Sequence, residues 1–351
     1  MDFVLSKEQE MARTLFRQFA EKEVKPLAAE IDQTERFPAE TVEKLKKYGF
    51  LGIPFGREFG GQGCDTLTYV LCVEELSRVC ATTGVIVSAH TSLGTDPIKK
   101  FGTPAQQAKY LPLLAGGKWL GAFALTEPGA GTDAAGQQTK AVLVGDHYVL
   151  NGSKIFITNG GQADSYIVFA MTDKSKGTKG ISAFIVEKTF PGFSIGKKED
   201  KLGIRASSTT ELIFENCIVP KENLLGAEGK GFGIAMTTLD GGRIGIAAQA
   251  LGIAEGALDE AKKYVNERKQ FGRSIAKFQN TQFVYADLVT KVEAAKMLVY
   301  KAAIAKDTQK RFSVEAAMAK LFAAETAMEV TTKVVTSIAV SAAKKIGRAH
   351  V

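Results

Sequence analysis

Residues 123–161, FALTEPGAGTDAAGQQTKAVLVGDHYVLNGSKIFITNGG, carry two patterns side by side. Thr126 is followed by Glu127-Pro128-Gly129-Ala130-Gly131-Thr132, a turn of small residues rich in backbone N–H groups. Glycine has no side chain, so such a turn lets the main chain approach a flat or anionic ligand closely. The second half alternates with the period of strands. Asn151-Gly152 has the composition of a tight hairpin turn, and Lys154–Thr158 reads as a strand closed by Asn159-Gly160. In a regular strand Phe156 and Thr158, two residues apart, point to one side. A β-meander with ordinary turns satisfies the spacing alone. An aromatic face beside the hydroxyls of Thr126, Thr132 and Thr158 suits a planar heterocycle such as a flavin.

On either side of this stretch the period is helical. Ser6 with Gln9 is a capping-box signature, and apolar Met11, Leu15, Phe16 and Phe19 follow at helical spacing. Pro26 is expected to bend or end that helix. Phe37-Pro38 opens a second helix that closes at Gly49, and further helices fall at Leu67–Val79 and Val85–Leu93. Thr103-Pro104-Ala105-Gln106 starts another. Strands occupy the chain from Leu120 to about Leu225 with no βαβ pattern, which excludes a dinucleotide-fold reading of Gly129, Gly131 and Gly136. Helices return from Gly231: Ile234–Arg268, Thr281–Asp307, and a third behind Ser313 as cap. Gly241, Gly242, Gly245, Gly252 and Gly256 inside the first of these imply close packing, since each costs about 1 kcal/mol in a helix. The expected fold is α+β: an N-terminal helical domain (1–120), a middle antiparallel β domain (121–228) and a C-terminal helical bundle (229–351).

The bulk numbers narrow the function. Apolar content of 45% with 24% charged residues describes a globular protein. The net charge of +7 is scattered among glutamates, which argues against nucleic acid and mildly favours an anionic ligand. Cys64, Cys72, Cys80 and Cys217 form no C-x-x-C pair and have only three histidines for company, so no metal site is expected. MDFVLSKEQE is neither a signal nor a transit sequence, and no stretch has the length of a membrane span. The expected location is cytoplasmic.

L-T-E-P-x-A-G-T-D and G-x-K-x-F-I-T-N-G resemble the two flavin-contacting segments of the acyl-CoA dehydrogenase family, and most resemble its bacterial short-chain (butyryl-CoA) members. The resemblance implies FAD held by Phe123, Ala124, Leu125, Thr126, Glu127, Pro128, Gly129, Ala130, Gly131 and Thr132. Phe156, Ile157 and Thr158 would lie against the ring, with the Thr158 hydroxyl near N5. Tyr264-x-x-x-Arg268-x-Gln270-Phe271-Gly272 with Gln279 resembles the family's Y-x-x-x-R-x-Q-F-G…Q, in which arginine and glutamine reach the FAD of a neighbouring subunit. Asp240-Gly241-Gly242-Arg243, together with Thr132, resembles the acyl-CoA contact. The implied reaction is α,β-dehydrogenation of a short-chain acyl-CoA to the trans-2-enoyl-CoA. Electrons would pass to electron-transfer flavoprotein, and the family assembles as a homotetramer.

The likeness stops near Lys333. The family's catalytic glutamate lies on an I-Y-E-G-T segment that has no counterpart here, and the alternative position, just before Arg243, is Gly242. No catalytic residue is therefore assigned. Ile346-Gly347-Arg348-Ala349-His350-Val351 matches one reading frame of a widely used sequencing adapter. The expectation is a truncated C-terminal bundle with an aberrant tail from about residue 334, poorly stable and inactive. Apolar side chains such as Leu251, Leu288, Met297 and Leu321 would be left in water. A non-catalytic flavin or acyl-CoA binding fragment and an acyl-CoA oxidase are the alternative readings.

Overall fold

The computed structural model describes residues 4–338. Helix α1 (Lys7–Phe19) starts at the Ser6/Gln9 capping box. Pro26 does not simply stop it: a π-helical turn, Ala20–Val24, leads into α2 (Lys25–Thr34), with Pro26 in the first turn, where its missing N–H costs nothing. Then come α3 (Ala39–Lys47), α4 (Thr66–Val79) and α5 (Ala81–Ser88). A second π-helical segment, Ala89–Thr95, runs on from α5 into α6 (Asp96–Phe101). Helix α7 (Pro104–Leu114) opens on the Thr103/Gln106 capping box.

Eight strands follow: β1 (Gly121–Ala124), β2 (Lys140–Val144), β3 (His147–Thr158), β4 (Ser165–Met171), β5 (Ile181–Glu187), β6 (Phe193–Lys198), β7 (Thr209–Pro220) and β8 (Leu224–Leu225). They are ordered β6-β7-β3-β2-β4-β5-β8, with β1 beside β4. The pairings are antiparallel except that β1 runs parallel to β4 and β2 meets β4 in parallel at Lys140/Met171. Asn151-Gly152 is not the hairpin turn. That turn is Gly145-Asp146, between paired Val144 and His147, and β3 runs straight through Asn151-Gly152 at a register shift. Gly152 adopts φ 144°, and a Cβ there would lie 2.6 Å from Thr139 Oγ1, so the glycine serves a bulge.

Helix α8 (Gly231–Glu267) enters the helical part, followed by the short pair β9 (Lys269–Gln270) and β10 (Arg273–Ser274), α9 (Gln279–Thr308) and α10 (Ser313–Lys333). Its glycines pack against neighbours as expected: a Cβ at Gly252 or Gly256 would lie 2.2 Å from Glu74 O or 2.1 Å from Arg78 O. Helix α8 therefore presses on the backbone at the end of α4. One apolar core joins Phe16, Phe19 and Leu76 from the front of the chain to Leu251, Leu288 and Val299 from its end. Leu251 and Leu288 are fully buried there, contrary to expectation, while Leu321 is 59% exposed. Residues Val334–Ile338 continue α10 as a π-helical turn with Val334 buried in the same core. The rest of the expected aberrant tail lies outside the described residues. Among those residues no helix is long and apolar enough to cross a membrane.

Candidate functional site

Strand β1 ends at Ala124, and the chain turns through Thr126–Thr132 before reaching β2. Ala124 and Leu125 are buried and Phe123 packs at a tilt against Phe169, centroids 4.9 Å apart, so these side chains serve packing and the backbone is left for a ligand. Glu127 and Ala130 exchange backbone hydrogen bonds (3.2 and 3.0 Å) that close the turn. Among the described residues the N–H groups of Thr126, Gly129, Gly131 and Thr132 take no partner. A Cβ at Gly129 or Gly131 would meet nothing within 4 Å. Free amides over open space at glycines are what an anionic or hydrogen-bonding cofactor edge requires.

Beneath the turn lies a buried ion pair. Lys154, on β3, donates to Glu127 Oε1 (2.7 Å), Leu125 O (3.1 Å) and Gln137 Oε1 (3.1 Å). Glu127 also accepts from the amides of Gln138 (2.6 Å) and Thr139 (3.0 Å). Burial pushes the Lys154 ammonium down to about 8 against the pull of Glu127. Burial also opposes the charge of Glu127, but Lys154 and the amide of Gln138 outweigh it and hold the carboxyl below its usual value.

One residue on, the Ile155 amide donates to Thr126 O (2.9 Å) and the strand departs from regular geometry. The β3–β7 register shifts between Lys154 and Ile157, and Phe156 takes φ 59° with 59% of its surface exposed. The period-two inference that set Phe156 and Thr158 on one side presumes a regular strand and does not hold across this shift. Ile157 is buried in the sheet core, and Thr158 lines a cavity.

That cavity, of about 210 Å³, has Val85, Ser88 and Leu93 on one wall and Leu239, Gly242 and Arg243 of α8 on the other, with Lys320 of α10 beside them. It is smaller than the roughly 300–1,000 Å³ of sites for drug-sized ligands. Gly242 sets its width, since a Cβ there would stand 2.8 Å from Leu93 Cδ2. Asp240 pairs with Arg243 and accepts from the Ser313 hydroxyl. Ser313 is thus the first residue of α10 rather than its side-chain cap, its hydroxyl spent on Asp240. Among the described residues no carboxylate lines the cavity.

The π-helical segment supplying Leu93 is held by His90, which is fully buried and whose Nδ1 accepts from the Gly121 amide at 3.0 Å. Burial pushes this imidazole down to about 4. Arg268, Phe271 and Gln279 lie apart: all three are exposed, and no hydrogen bond or ion pair joins them to the turn among the described residues. Sequence reasoning missed His90, Leu93 and Lys154. A lysine at the core-facing parity of a strand, after a glutamate in the preceding turn, was the signal available for Lys154. The π-helical segment left no signal.

Three family models match in chain order: the acyl-CoA dehydrogenase N-terminal domain at residues 6–118, the middle domain at 122–217 and the C-terminal domain at 229–339. A short-chain specific acyl-CoA dehydrogenase of Clostridium acetobutylicum is 65% identical over 95% of this chain and 88% of its own length. The structure of butyryl-CoA dehydrogenase from Megasphaera elsdenii superposes with a TM-score of 0.94 at 53% identity, covering 95% of this chain and 88% of that one. A chain from a structural study of the electron transferring flavoprotein of Acidaminococcus fermentans gives 0.94 at 59% identity over the same shares. All three domains are represented and the last match runs past Lys333, so the expectation of a truncated bundle finds no support. The chain belongs to the acyl-CoA dehydrogenase family of FAD-dependent oxidoreductases.

Proposed function

We propose that this protein dehydrogenates a short-chain acyl-CoA to the trans-2-enoyl-CoA and passes the electrons to electron-transfer flavoprotein. The observation that carries the reading is the small, mostly apolar cavity, closed by Leu93 against Gly242 and bordered by Thr158. When bound, FAD supplies the acceptor for the hydride that leaves the acyl β carbon. The free amides of Thr126, Gly129, Gly131 and Thr132, the Thr126 and Thr158 hydroxyls and the Phe156 ring would hold it. Asp240 and Arg243, fixed to each other and to α10, border the acyl-CoA, with Thr132 at the turn. Arg268, Phe271 and Gln279, facing outward, suit contact with the FAD of a neighbouring subunit in a homotetramer, and an arginine fork matches a pyrophosphate. The site is assigned to the cytoplasm.

The α proton needs a carboxylate. Among the described residues none lines the cavity. A general base contributes on the order of 10²–10⁴ in rate. The test is anaerobic titration of the FAD-loaded 351-residue chain with butyryl-CoA. A saturable shift of the visible flavin band and bleaching of the bound flavin are expected. No spectral response to butyryl-CoA would refute the substrate assignment, and bleaching at family-like rates would show that a carboxylate outside the lining reaches the α carbon.

A further inference from the structure

Lys154 is fully buried, and a methionine of similar length would fill the same space without desolvating a charge. The three hydrogens of its ammonium have three acceptors: Leu125 O, Glu127 Oε1 and Gln137 Oε1. These belong to the turn after β1 and to the segment entering β2, so one side chain of β3 ties together two otherwise separate stretches. Glu127 extends the tie through the amides of Gln138 and Thr139. The turn is thus bonded on its inner side, while the amides of Thr126, Gly129, Gly131 and Thr132 stay free on the other. The next residue of β3 repeats the connection, Ile155 N–H to Thr126 O, immediately before Phe156 enters the left-handed region.

We propose that Lys154 is a positioning residue: with Glu127 it clamps the 125–130 turn and the Lys154–Phe156 bulge into one rigid unit, so that free amides and aromatic ring meet the cofactor as a single surface. What that surface faces rests on the FAD reading above; the clamp itself does not. Phe156 sits in the left-handed region, which a residue with a side chain holds only where its surroundings fix it. Hydrogen bonds to a charged group resist loss by roughly tenfold to a hundredfold in equilibrium terms.

The test compares amide exchange in the full chain, without added FAD, for wild type, Lys154→Met and the double variant Lys154→Met/Glu127→Met. FAD titrations of the same proteins run beside it. In Lys154→Met, exchange across residues 125–139 should rise about tenfold or more, while residues 165–171 keep their rates. FAD should bind roughly tenfold to a hundredfold more weakly. The single variant leaves Glu127 buried without its partner. The double variant removes both charges and should keep a melting temperature near wild type with the fast exchange retained. Lys154→Arg, which keeps the charge, should recover part of the protection.

Unchanged exchange across 125–139 in both methionine variants would overturn the proposal. So would exchange at 165–171 rising in step with it, since the pair would then support the sheet as a whole. If wild type takes up no FAD yet exchange across 125–139 still accelerates, the cofactor reading fails and the clamp stands.

Discussion

His90 is held neutral by burial, with Nδ1 accepting from the Gly121 amide, and its folded value near 4 lies below the 6.5 of an exposed imidazole. The unfolded chain binds the extra proton first, so the stability His90 supports is complete above about 6.5 and is lost as pH falls toward 4. The loss is on the order of 3 kcal/mol. Denaturant unfolding of wild type and His90→Asn between these limits should show a shallower pH slope in the variant; parallel slopes would contradict this account. At this scale the sequence is partly legible. The turn residues Thr126–Thr132 are marked by composition, and their free amides follow from it. The orientation of Phe156 is not marked, because a register shift against β7 interrupts the alternation and no local residue announces it. Lys154 reads as one more surface charge until Glu127 is placed beneath the turn.

Among the elements, α8 matters most to the site, since it brings Gly242 to within contact of Leu93 and carries the Asp240–Arg243 pair. Gly242→Ala should overpack that wall by about 1–3 kcal/mol, weakening butyryl-CoA binding roughly tenfold or more while leaving FAD affinity unchanged. Equal butyryl-CoA affinity in the two proteins, read from the flavin band, would show that the acyl chain lies elsewhere. The capping boxes at Ser6 and Thr103 mark their helices because local chemistry alone decides a helix start. The Asn151-Gly152 dipeptide misleads because its glycine serves close approach to Thr139 rather than a turn. The π-helical segment at 89–95 depends on tertiary contacts, the Gly121 amide among them, that sequence periodicity does not carry.

For the whole molecule, the changes of period near residues 120 and 228 are visible because strands and helices alternate differently. That the two helical parts share one core is not, since residues far apart in sequence meet only in the fold. Arg13 of α1 pairs with buried Glu74 of α4, which accepts from Tyr300 of α9 at 2.9 Å, so the first helix is bonded through to the last part of the chain. This shared core is also why Leu251 of α8 and Leu288 of α9 are buried: both lie in the one cluster that joins the two helical parts. The candidate site draws on both helical parts and the sheet, and its central feature is the proposed cofactor surface made by the 126–132 turn and the Phe156 bulge. The most direct measurement is an equilibrium titration of the purified chain with FAD, followed by flavin fluorescence. Saturable uptake of one FAD per chain, weakened in Lys154→Met, is the predicted result; the absence of saturable binding would contradict it.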